Sequence, residues 1–370
     1  MKLAIVHDYL NQYGGAERVI ETLHELYPAA PIYTSIYTPN MMPASFKEMD
    51  IRTSFMQKLP MLDKYFKYYL LFYPRAIESL NLSGYDVILS SSSAFAKGAR
   101  PGKGALHICY CYTPARFVWD YENYVKKEGL SKLVSKILPL AIKRLRRWDL
   151  KTISKIDYFI AISNNIGDKI KKFYNRDSVV IYPPVDISMF DTQKGIGDYF
   201  LIVSRLNSYK NIDLVVRAFN LVNLELKIVG VGPFRKTLEQ LAKSSNIEFL
   251  GKVTDEELIK LYGRCRALIF PGEEDFGITP LEAQASGRPV IAYAKGGSLE
   301  TIVNGKTGIF FKDNNPRSLL KAIEQFIEIE DRFDKKIIRE NALRFRKEIF
   351  KEEIKTFIEQ KYHEHTNKNN

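Results

Sequence analysis

Short apolar runs recur along the chain, and most end in a turn or a polar loop. They cover residues 2–6, 86–92, 107–112, 156–162, 179–185, 200–203, 226–229, 247–250, 267–270 and 289–293. Each is strand-sized and mostly apolar, the pattern of buried strands, and residues 86–92 run into a serine loop. Between them lie segments of helical period, among them residues 19–26, 213–220 and 350–362. Alternating strands and helices predict α/β architecture with parallel sheets. The length, 370 residues, accommodates two such domains.

One βαβ unit carries the densest chemistry. After the run 267–270 come Pro271-Gly272, then Glu274-Asp-Phe-Gly-Ile-Thr-Pro-Leu-Glu-Ala-Gln-Ala-Ser-Gly287, then the run 289–293. Ligands of open parallel sheets sit at the carboxyl ends of strands, where helices begin. Glu274 falls in such a loop and Glu282 near the start of the following helix, with Pro280 suited to its first turn. The amides of Phe276, Gly277 and Ile278 lie between them, at a helix end that favours anions. A carboxylate accepts hydrogen bonds from a vicinal diol, and a glycine lets backbone approach a sugar closely. An isolated pair of glutamates would be read as solvated charges; the fourteen-residue context argues otherwise.

That context, Glu-x-Phe-Gly-x-x-x-x-Glu-Ala-x-Ala-x-Gly, resembles the signature of retaining glycosyltransferases of family 4. The resemblance spans nearly the whole chain and implies the GT-B fold: two doubly wound Rossmann-like domains facing a central cleft. It implies that Glu274 and the loop amides hold the donor hexose and that Glu282 takes the ribose hydroxyls. The glycine loop, Gly14 and Gly15, is a phosphate-cradling turn opening a helix; the resemblance lays it against the donor diphosphate and the acceptor. Arg205 and Lys210 stand on the loop after the run 200–203, where two cations can neutralise a diphosphate leaving group. The resemblance gives them that role, and it puts the nucleobase against the backbone of Val253. The segment Tyr112-Thr-Pro-Ala-Arg-Phe-Val-Trp-Asp120 is similar to bacterial O-antigen and exopolysaccharide mannosyltransferases, with one departure. Their pattern has histidine, near the sugar, where this chain has Tyr112, and a tyrosine is a poor proton shuttle near neutral pH. His107 is five residues earlier and does not replace it by register.

The expected domains are residues 1–193, binding acceptor, and 198–345, binding donor, with a polar linker at 191–198. A helix over 346–363 is expected to cross back to the first domain, with the residues from His363 frayed. The expected reaction is transfer of a hexose, mannose from GDP-mannose, to a hydroxyl of a lipid-linked or growing saccharide, with retention. No Asp-x-Asp motif stands in a metal-binding setting, so no metal and no cofactor are expected. A UDP-sugar transferase or a nucleotide-sugar epimerase of the same fold are the alternatives, and a basic nucleic-acid-binding protein is the remote one, without any motif for it.

Charge adds a partner. The net charge is +12, and most of the excess lies in residues 1–195. Residues 56–80 mix Lys58, Lys64, Lys67 and Arg75 with aromatics and leucines. Residues 126–155 mix Lys132, Lys136, Lys143, Arg144, Arg146, Arg147 and Lys151 with Leu133, Ile137, Leu138, Leu140 and Trp148. Each alone reads as an amphipathic helix with a solvated face; together they favour docking on an anionic membrane. No apolar run reaches spanning length and the first residues have no signal-peptide pattern, so the expected location is cytoplasmic, at the inner membrane face. Three cysteines make no disulfide framework and no metal-ligand spacing; Cys109 and Cys111 are expected to pack.

Overall fold

The structure, a computed structural model, describes residues 1–121, 132–192 and 195–369. Contacts divide them into two compact units, Met1–Pro184 with Lys347–Asn370, and Val185–Arg346. Each unit is built on one parallel sheet, as the pattern of apolar runs predicts.

The first sheet has seven strands: β1 (Leu3–His7), β2 (Ile32–Thr34), β3 (Ile51–Thr53), β4 (Val87–Ser92), β5 (Leu106–Cys111), β6 (Tyr158–Ala161) and β7 (Ser178–Val180). Their order is β3-β2-β1-β4-β5-β6-β7. Every residue of β1, β4 and β5 is buried, which is why these strands are apolar on both faces. The second sheet has six: β8 (Tyr199–Val203), β9 (Glu225–Val229), β10 (Ile247–Gly251), β11 (Leu268–Phe270), β12 (Val290–Tyr293) and β13 (Gly308–Phe311). Their order is β10-β9-β8-β11-β12-β13. Strand order therefore reverses between β1 and β4 in one sheet and between β8 and β11 in the other. The carboxyl ends at a reversal are where open α/β sheets bind ligands.

Two expectations need correction. The linker expected over residues 191–198 does not divide the chain; Gln193 and Lys194 lie outside the described residues, and residues 185–192 already belong to the second unit. The Val185 amide donates to the Phe345 carbonyl at 3.0 Å, and Phe190 packs edge-on against Tyr262. Val185 and Phe190 fall inside the expected first domain, 1–193, which in the structure ends at Pro184; their partners lie too far along the chain for local pattern to reveal. Residues from His363 are not frayed: the helix Lys347–Asn369 runs through them. Thr366 bonds the Tyr362 carbonyl, and the His365 ring lies 2.9 Å from the Gly104 carbonyl. That helix belongs to the first unit, where Phe350, Ile354 and Ile358 are buried and Phe350 meets Tyr110 edge-on.

The first core also contains an ion pair. Lys97, fully buried, binds the Asp149 carboxylate at 2.9 Å and donates to the Ala94 carbonyl at 2.6 Å. The other Asp149 oxygen accepts from Trp119 and Tyr174. Burial alone would lower the lysine's pKa; the Asp149 carboxylate outweighs it and the net direction is up. Cys109 and Cys111 are free and buried beside this pair, as expected of packing residues.

Two outcomes are expected. Asp149→Ala leaves a buried ammonium unpaired and should destabilise the protein by about 3–5 kcal/mol in denaturant unfolding, whereas Asp149→Ala with Lys97→Met should recover much of the loss. His107 is fully buried, its Nδ1 donating to the Lys155 carbonyl and its Nε2 2.9 Å from Ser90 Oγ. Burial pushes its pKa down from 6.5 to about 4, against the opposing pull of the Lys155 carbonyl and the Asp157 carboxylate. The unfolded chain thus binds the extra proton first. Stability from this group is complete above pH 6.5 and falls as the pH drops toward 4, by about 3 kcal/mol in all. Melting curves across that window should show a shallower fall for His107→Asn.

Candidate active site

In the first unit, β1 runs into Asp8, whose carboxylate is buried. It accepts the amides of Ser93, Ala94, Phe95 and Ala96 at 2.5–2.9 Å and the Ser93 hydroxyl at 2.8 Å. The Asp8 carbonyl accepts from the Ser35 hydroxyl. One residue thus joins the carboxyl ends of β1, β2 and β4. Next comes the glycine loop. Gly14 caps the helix Gly15–Leu26 in an extended conformation that any residue could adopt. Glu17 lies in its first turn, at the end that favours negative charge.

Behind this loop a chain of polar groups is buried. The Tyr112 hydroxyl donates to the Ala16 carbonyl at 3.1 Å and lies 2.9 Å from Ser91 Oγ. His7 Nδ1 is 3.1 Å from Ser91 Oγ, and its Nε2 is 3.7 Å from the Glu17 carboxylate. His7 is 2 % exposed and Glu17 4 %. Burial pushes the Tyr112 phenol well above its ordinary pKa, with the Ser91 bond opposing. At neutral pH Tyr112 is therefore a donor, and its proton is committed to the first turn of the glycine-loop helix. Sequence reasoning singled out Gly14, Gly15 and Tyr112 but not His7, Asp8, Glu17 or Ser91. The available signal was His7-Asp8 and a serine run ending otherwise apolar strands.

In the second unit, the loop after β8 leads to the turn Ser208–Lys210, then Asn211 in a left-handed conformation, then the helix Ile212–Phe219. The Lys210 ammonium pairs with the Glu274 carboxylate and lies 5.3 Å from the centre of the Tyr209 ring. Glu274 stands on the loop after β11, so the pair joins the two strands at the order reversal. Arg205 is exposed on the first of these loops. Val253 is half-buried, next to Thr254, which forms a capping box with Glu257 at the helix Asp255–Arg264.

The Glu274 loop is held by close backbone approach. Its carbonyl accepts the Gly297 amide at 2.8 Å, and a Cβ on Gly297 would fall 2.3 Å from the Phe276 Cα. Phe276 is buried against Phe345. Gly277 has φ +93°, a region L side chains avoid, and there the chain turns into the helix Ile278–Ala285. Phe276 and the capping Gly277 thus lead into the helix, begun at Ile278, that carries Glu282. Glu282 is 6 % exposed and accepts the Tyr262 hydroxyl at 2.7 Å. It is no surface residue. Tyr262, inside the helix Asp255–Arg264, gave no sequence signal. Among the described residues no group of three His, Cys, Asp or Glu is arranged to hold a metal ion.

Comparison with known proteins places the chain in a family. Residues 13–189 match the model described as Glycosyltransferase Family 4, and residues 189–344 match the one described as Glycosyl transferases group 1. The chain belongs to glycosyltransferase family 4. Among its relatives, the O-antigen chain mannosyltransferase RfbU of Salmonella typhimurium is 30% identical over 51% of this chain and 57% of its own length. The alpha-1,3/1,6-mannosyltransferase ALG2 of Mus musculus is 30% identical over 43% of this chain and 46% of its own. The chain spans about half to three-fifths of the length of the curated relatives it matches. Among solved structures, Anabaena HepE in complex with UDP has a TM-score of 0.73 at 16% identity, covering 97% of this chain and 100% of that one. Sucrose-phosphate synthase from Thermosynechococcus elongatus has 0.76 at 16%, covering 98% and 100%. The fold is GT-B, as the sequence resemblance implied.

In this family 4 chain, the conformation of Gly277 is testable. An alanine there would take a disfavoured φ and bring its Cβ to 3.0 Å from the Phe270 ring. Gly277→Ala should cost about 1–3 kcal/mol in denaturant unfolding. Gly305→Ala also carries positive φ but meets nothing within 4 Å; it should cost less.

Proposed function

We propose that this glycosyltransferase transfers mannose from GDP-mannose to a hydroxyl of a saccharide or lipid-linked acceptor, with retention and without a metal ion. The observation that carries the donor half is the Lys210–Glu274 pair at the reversal between β8 and β11. In this reading Lys210, with Arg205, neutralises the diphosphate as it leaves. Glu274 orients Lys210 and accepts hydrogen bonds from the hexose. The amides at Phe276, Gly277 and Ile278 face the sugar, and Glu282, fixed by Tyr262, takes the ribose hydroxyls. Val253 meets the base. The sugar C1–O bond to the diphosphate breaks, the acceptor oxygen bonds to C1 on the same face, and the departing phosphate oxygen takes the acceptor proton.

Mannose is favoured because two relatives near 30% identity are named mannosyltransferases of the O-antigen chain or of the alpha-1,3/1,6 type. A UDP-sugar donor is the rival reading, and the neighbour solved with UDP has this fold. The acceptor belongs in this reading to the first unit, whose basic segments meet an anionic membrane at the cytoplasmic face. Among the described residues no helix is long and apolar enough to cross a membrane.

Melting curves with GDP, UDP and ADP, without metal, test the donor. GDP alone should raise the midpoint, because selective binding stabilises the native state. A shift with UDP alone would replace the donor assignment, and isomerised sugar from donor without acceptor would mean an epimerase. Lys210→Ala should lower donor turnover, read as released nucleoside diphosphate, on the order of a hundredfold or more, with folding largely preserved. Wild-type turnover in that variant would remove Lys210 from the mechanism.

A further inference from the structure

The first unit carries an open cavity of about 630 Å³ that the transfer reaction does not use. Leu71, Phe72, Arg75, Arg144, Leu145 and Trp148 wall it. They come from residues 71–78 and from the helix Lys132–Thr152. Trp148 fixes one wall: it lies so close over Gly98 that a Cβ there would fall 2.3 Å from its ring.

The charges in the cavity are unbalanced. Glu78 also lines it, but Glu78 accepts from Arg100 at 2.5 Å and from Trp148 Nε1 at 2.8 Å. Arg75 and Arg144 have no carboxylate partner among the described residues. Two guanidiniums therefore share one recess, and their planar forks suit a phosphate.

The rim is apolar and faces water. Leu71 is 50% exposed, Phe72 47% and Tyr68 77%. On the long helix Leu140, 74% exposed, stands one turn before Arg144. Lys143 and Arg147 are also exposed and share its face by their spacing. Of the basic segments expected from the sequence, Lys126 lies outside the described residues, as do the side chains of Lys64, Lys67, Lys132, Leu133, Lys136 and Ile137. What is described combines free cations in a recess with leucine and aromatic side chains around it. That combination complements a ligand with an anionic head and an apolar tail.

We infer that this cavity receives the phosphate headgroup of an anionic membrane phospholipid, with Arg75 and Arg144 on the phosphate and Leu71 and Phe72 in the acyl boundary. The inference rests on the membrane reading above and gives it an address. Basic residues beside such a surface each contribute on the order of a fivefold gain in binding. Leu71 and Phe72 add a part that salt does not screen.

The test is co-sedimentation of the full chain with vesicles of equal parts phosphatidylcholine and phosphatidylglycerol, against phosphatidylcholine alone. The wild type should bind the anionic vesicles only. Arg75→Ala with Arg144→Ala should weaken binding on the order of thirtyfold at low salt. Leu71→Ser with Phe72→Ser should leave binding that salt abolishes. Both doubles should melt within a few degrees of the wild type and keep its nucleotide response, since these side chains are exposed and lie outside the donor loops. If the wild type ignores anionic vesicles, the membrane reading falls with the site. If it binds and the arginine double binds equally well, the site alone is overturned. Competition by millimolar glycerol phosphate as strong as that by vesicles would also overturn it, in favour of a small-anion site.

Discussion

A buried carboxylate holds the carboxyl edge of the first sheet. Without partners, Asp8 would be among the costliest groups to bury. Four consecutive amides and a hydroxyl meet it instead, and charge-assisted bonds of this kind are about twice as strong as neutral ones. The geometry leaves little freedom. Residues 93–96 must curl around the end of β1 for their amides to converge, and this bend places Ala96 and Lys97 where Lys97 can reach Asp149. The Lys97–Asp149 pair thus follows directly from the bend that Asp8 holds.

The second unit solves the corresponding problem with close backbone approach. Glycines at 296 and 297 let one loop lie directly on another, so the main chain at Glu274 and Phe276 is gripped by main chain. The ion pair with Lys210 then ties the loop after β11 to the loop after β8. The two units therefore present different kinds of rigidity at equivalent places in their sheets: a buried charge in one, and glycine contacts with a partly exposed ion pair in the other.

Much of this was legible in the sequence. Buried strands appear as mostly apolar runs, so β1, β4, β5, β8 and β11 stood out. Glu274 and Glu282 were legible because a motif carried them. What escaped was decided by partners far away in sequence. Tyr262 looks like any aromatic in an amphipathic helix until its hydroxyl meets Glu282. Asp8 looks like a strand-ending polar residue until residues 93–96 fold over it. Residues 185–190 look like the end of the first domain because their anchors, Phe345, Arg339 and Tyr262, are up to about 160 positions away. The role of Tyr112 was equally hidden: its departure from the family pattern was visible, but its bond to the Ala16 carbonyl was not.

The helix Lys347–Asn369 is separated from the rest of its unit by the whole of the second one. Its Phe350, Ile354 and Ile358 fill core positions that nothing upstream occupies. During synthesis the chain therefore cannot complete its units in the order in which it starts them. Residues 185–346 have everything they need once they have emerged, whereas residues 1–184 wait with an open flank over β5 until 347–369 arrive. The unit that begins first is finished last, and its unfilled core around Tyr110 is the surface a chaperone would meet on the nascent chain.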